Sequence, residues 1–172
     1  MKNQSAKSSI GKHKFAGQGI VEFALVIPII LMLIFGIFEV GRAYWIYSAV
    51  TNSSREAARF ASSVSDNGFG TPNYLDCAAI RAAAKRIGGP GQVVDADINI
   101  SYDEGPSGVS IGSCPVPSYA LDLGDRVVVS VTGHFQALDV IPFISFPSFD
   151  FTSVARRTII KDIDLLSTPV GP

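Results

Sequence analysis

The chain has 172 residues, 47 % apolar and 17 % charged, with a mean hydropathy of +0.31 and a net charge of −1. Charged content below the usual ~25 % argues against a disordered chain, and the lack of a basic excess argues against a nucleic-acid binder. The near-neutral total hides a split: Lys2, Lys7, Lys12 and Lys14 fall within residues 1–17, which hold no acid, and the remainder is net acidic.

Residues 1–14 are rich in Ser, Lys and Gly and read as a leader without fixed structure. Phe23 to Phe38 is free of charge, and with Gly19, Ile20 and Val21 in front the apolar stretch is broken only by Glu22. About twenty positions at ~1.5 Å each match the hydrocarbon core. Ile20 to Phe38 is therefore predicted to cross a membrane as a helix, with Pro28 tolerated there. Tyr44, Trp45 and Tyr47 follow, residue types that favour the headgroup layer. Lysines before the run and none in the next forty or so residues place the N-terminus in the cytoplasm and the body outside the inner membrane. A cleavable secretory signal is a simpler reading, but it needs a shorter apolar core and a small-x-small cut site, which Phe38-Glu-Val-Gly-Arg42 does not offer. A plain membrane anchor is another. Neither explains Glu22, since a carboxylate costs about 2–3 kcal/mol at mid-bilayer, less near the interface, and calls for a partner.

The helical pattern continues past the membrane. Val40, Tyr44, Tyr47, Thr51, Ser54, Ala58 and Ala61 recur at three- and four-residue steps, and Arg42, Asn52, Arg55, Glu56 and Arg59 lie off that stripe. One helix over 18–64 is expected, with Glu56 and Arg59 as an i,i+3 pair. Residues 65–73 hold turn formers. Tyr74 to Gly88 is an Ala-rich helix that ends in cations and then Gly88-Gly89-Pro90. Three β-like runs follow: Asp97–Tyr102, Arg126–Thr132 and Phe149–Ile160. The expected fold class is α+β, a long N-terminal helix on a small head with one more helix and a roughly three-stranded antiparallel sheet.

Cys77 and Cys114 are the two cysteines. In an exported head they are expected to pair, worth roughly 3–4 kcal/mol in the chain-entropy account; two separate buried thiols are the alternative. A metal site would need more ligands than His13 and His134 supply, and His134 reads as structural. Leu138 to Phe149 is apolar for a connection, either a core flap or a contact patch for another subunit or the bilayer surface. No nucleophile elbow, phosphate loop, dinucleotide fingerprint or zinc helix is present in the sequence. No enzyme activity, cofactor, metal or small-molecule substrate is expected.

Gly17-Gln-Gly-Ile-Val-Glu22-Phe23, set behind a basic arm, resembles the leader junction of prepilins, most closely the TadE-like pseudopilins of tight-adherence (Flp-type) pilus systems. Phe35-Gly-Ile-Phe-Glu-Val-Gly-Arg42 and Ser54-Arg-Glu-Ala-Ala-Arg-Phe-Ala61 also resemble that family. The resemblance implies that a prepilin peptidase cuts between Gly17 and Gln18, leaving Glu22 fifth and Phe23 sixth in the mature chain. The chain then divides into a cleaved cytoplasmic leader (1–17), a transmembrane and extended helix (18–64) and an extracytoplasmic head (65–172). It would be a minor pilin or pseudopilin of the bacterial inner membrane, serving assembly of pili for adhesion and biofilm formation. Its implied partners are the peptidase, other pilin and pseudopilin subunits and the inner-membrane assembly platform. Glu22 would pair with the new amine of Gln18, its own or a neighbour's. The alternative is an uncleaved, permanently anchored extracytoplasmic binding module.

Overall fold

The computed structural model describes residues 16–66, 68–138 and 148–160. Most of the leader, and residues 139–147 of the apolar connection, lie outside that range. The chain divides into two units, Met1–Val40 and Gly41–Pro172. Helix α1, Ala16–Ala61, contributes to both and runs through Pro28.

In the first unit every described residue from Gly17 to Phe38 is exposed. In the second unit α1 is amphipathic. Its buried stripe is Ile46, Ala49, Val50, Ser53, Ser54, Ala57, Ala58 and Ala61. This corrects the predicted stripe, because Val40, Tyr44 and Tyr47 are exposed. Small side chains at 53–61 allow close approach instead: the Ser53 hydroxyl donates to the Ala84 carbonyl of the second helix (2.7 Å). The Ser54 hydroxyl lies 3.0 Å from that of Ser153 on the sheet. α1 stops at Ala61, short of the expected 64, where the hydroxyls of Ser62 and Ser63 donate to the carbonyls of Arg59 and Phe60.

α2 spans Cys77–Gly88, and Tyr74 and Leu75, expected to belong to it, lie instead in a 3-10 turn over Asn73–Leu75. Asp76 decides the start, because its carboxylate accepts from the Ala79 N–H at 2.8 Å as an N-cap. Among the described residues the sheet has four strands, not three: β1 Ile98–Asp103, β2 Ser110–Ser113, β3 Arg126–Phe135 and β4 Phe149–Thr158, in the antiparallel order β2-β1-β3-β4. The added strand β2 is four residues at the edge, three of them Ser or Gly, with no alternating pattern to mark it. Val127, Val129, Val131 and Phe135 of β3 join Ile98, Ile100 and Tyr102 of β1 in one core with Ile80 and Ala84 of α2 and the stripe of α1. Burial pushes the Tyr102 hydroxyl up to about 12, and it donates to the Tyr74 carbonyl at 2.5 Å.

Cys77 and Cys114 form a disulfide across a sequence separation of 37, joining the start of α2 to the loop after β2. Reduction should lower the unfolding free energy by about 3–4 kcal/mol. Alkylation should label neither thiol before reductant and both after it; labelling of both without reductant would contradict the bridge.

His134, expected to be structural, bridges three elements. Its Nδ1 lies 2.8 Å from Asp150 on β4 and its Nε2 lies 3.1 Å from Asp97, just before β1. The Asp150 hydrogen bond, then that of Asp97, holds its pKa above the ordinary histidine value. Burial pushes the Asp97 carboxyl up, but the Val94 N–H and His134 outweigh it and the net direction is down. A raised folded pKa means that the stabilisation is complete below the unfolded value of about 6.5 and fades as pH rises through the folded value. His134→Gln should therefore remove a decline in thermal stability seen above about pH 6.5 in the parent chain. An unchanged slope would show that the bridge contributes nothing.

Candidate functional site

The described residues place the predicted junction at the very start of α1. Ala16 opens the helix, so the Gly17–Gln18 peptide lies in its first turn. The first four N–H groups of a helix have no intrahelical partner, and a glycine there weakens the turn by about 1 kcal/mol relative to alanine. Apart from its chain neighbours and the helix's own backbone, no described atom lies within 4 Å of a Cβ placed on Gly17. The bond is therefore helical but easily frayed.

One turn on, Glu22 sits on the same helix face as Gln18, whose side-chain amide donates to its carboxylate at 3.4 Å. Phe23 is exposed beside it. From Phe23 to Phe38 the surface is apolar and uncovered, and α1 is long and apolar enough to cross a membrane. In water such a surface costs on the order of 25 cal/mol for each Å², which makes this stretch a candidate membrane span.

Residues 17–59 match the family model described as TadE-like protein. The N-terminal stretch is TadE-like. No curated protein and no solved structure matches the chain. The TadE-like match opens on Gly17, the residue before the predicted cut, and closes on Arg59, so the sheet lies outside it.

Within the TadE-like stretch, Arg55-Glu-Ala-Ala-Arg59 has a structural part to play. Glu56 accepts from Arg59 at 2.9 Å and from Arg86 of α2 at 3.0 Å. The Arg59 hydrogen bond, with Arg86 behind it, holds the Glu56 carboxyl below the ordinary range against a smaller opposing effect of burial. Ala57 and Ala58 are fully buried between them. The run is thus a docking face for α2; sequence spacing exposes the Glu56–Arg59 pair but not Arg86, thirty residues away. Arg42, at the end of the other family-like run, donates to the Gln136 carbonyl and lies 4.7 Å over the Phe135 ring. The sequence carries no local signal for either partner. Among the described residues, no group of three or more His, Cys, Asp or Glu side chains is placed to hold a metal ion.

Proposed function

We propose that this chain is a minor pilin or pseudopilin of a tight-adherence pilus system, a structural subunit and not a catalyst. The observation that carries the proposal is the TadE-like match that begins at Gly17, on a helix whose apolar surface is exposed from Gly17 to Phe38. A prepilin peptidase cuts between Gly17 and Gln18 on the cytoplasmic face of the inner membrane. Fraying of the first turn gives the extended backbone such an active site needs, and glycine offers no side chain to obstruct it. The cut removes the four lysines and leaves an amine on Gln18. The contact between Gln18 and Glu22 supports a carboxylate within reach of that position. Glu22 then neutralises this amine, or that of the neighbouring subunit, and so sets the register of packed helices. The disulfide supports an oxidising compartment for the head. Subunits drawn onto the inner-membrane assembly platform contribute to a fibre used in adhesion and biofilm formation.

The helical conformation of the Gly17–Gln18 bond favours one competitor, an uncut anchor that displays the head as a binding module. Coexpression with a prepilin peptidase separates the two. The parent chain should shorten by its leader, and Gly17→Leu should remain full length. If both remain full length, the uncut anchor is the correct reading.

A further inference from the structure

We propose that one end of the head seats on the lipid headgroup layer, through an aromatic patch shared between α1 and β4. The proposal rests on the reading that Ile20 to Phe38 crosses a bilayer. Tyr44, Trp45 and Tyr47 on α1 are exposed by 71 %, 65 % and 50 %. Across from them, Phe149 opens β4, is 50 % exposed and stacks on Phe135 with centroids 6.0 Å apart. Phe151 lies edge-on to Tyr47 at 5.9 Å. Arg42 covers the Phe135 ring. Strand and helix thus meet through the rings of Tyr47, Phe151, Phe135 and Phe149, with Arg42 over Phe135.

Three observations favour lipid as the occupant. Trp45 is tethered to Val40 by five residues, about 17 Å even at full extension, so this end stays beside the bilayer in any orientation of the head. The chemistry is interfacial: Tyr and Trp carry an apolar body with a polar tip. The acids beside the patch are also paired. At the aromatic end Asp97 and Asp150 are both engaged by His134.

Trp45 is the single tryptophan of the chain, which makes the test direct. The full chain is reconstituted into phosphatidylethanolamine–phosphatidylglycerol vesicles that contain a lipid nitroxide-labelled just below the headgroup. Quenching of Trp45 in the parent chain reports insertion of the span. In a Trp45→Phe background, Phe149→Trp reports the strand side of the patch and Val154→Trp, exposed farther along β4, serves as the distant control. The proposal predicts that Phe149→Trp is quenched by lipid to a degree comparable with Trp45, several-fold more than Val154→Trp, and is shielded from aqueous acrylamide. With Trp45 quenched, three results would overturn it: no lipid quenching of Phe149→Trp, shielding of that position without lipid quenching (the mark of a protein partner), or equal quenching of Val154→Trp. If Trp45 itself escapes the label, the span reading fails and this inference fails with it.

Discussion

Gly133→Ala should destabilise the head by about 1–3 kcal/mol, and Gly133→Val by more. A Cβ at Gly133 would lie 2.3 Å from Cγ2 of Val50, with the Gly91 carbonyl 3.5 Å away on another side. Val50 is fully buried on α1. As a β-branched residue in a helix it has one strongly preferred rotamer and cannot swing aside. The clash must therefore push α1 away from β3 and open the core along the whole stripe. Denaturant unfolding of the detergent-solubilised chain, followed by the far-ultraviolet signal of the sheet, reads the loss as a lower midpoint. The partner variant Val50→Ala makes room. In that background Gly133→Ala should cost clearly less than it does alone, a coupling of the kind that residues in contact display. Additive effects would show that α1 and β3 do not meet at this point.

Glu22→Ala should leave the chain inserted in the membrane and abolish its support of pilus assembly. Insertion survives because the substitution only lengthens the apolar run. Assembly fails because the amine of Gln18, about one turn away, loses its counter-charge; removing one member of a buried pair typically costs about 3–5 kcal/mol. Glu22→Gln separates charge from hydrogen bonding: it should assemble nearly normally if a hydrogen bond suffices and fail if the charge is required. Surface pili counted by electron microscopy, with membrane levels of the subunit checked in parallel, provide the readout. Wild-type pilus numbers with Glu22→Ala would refute the pairing mechanism.

The features legible in the sequence are those whose causes are local. An uninterrupted apolar run, cations before Gly88-Gly89-Pro90, and the β-branched run of Arg126–Thr132 each mark their element without help from elsewhere. Two cysteines have one possible intramolecular pairing, and the bridge is present. What the sequence hides depends on distant partners. The stripe of α1 is set by Gly133 and Gly91, which admit Val50, and not by the larger residues Tyr44 and Tyr47. Arg86 and Phe135 meet Glu56 and Arg42 only once α2 and β3 are in place. β2 exists because β1 offers an edge to pair with, and its own Ser-Ile-Gly-Ser113 gives no reason to form a strand. Of the candidate site, the Gly17, Glu22 and Phe23 pattern was fully legible, while the helical state of the Gly17–Gln18 bond was not.

The most direct test of the central claim is the N-terminal sequence of the chain extracted from its native membrane. Processing by a prepilin peptidase predicts a protein that begins at Gln18, with the lysine-bearing leader removed and the apolar helix still joined to the head. A chain that begins at Met1 in cells with an active prepilin peptidase, or one cut beyond Phe38 so that the head is released, would contradict it.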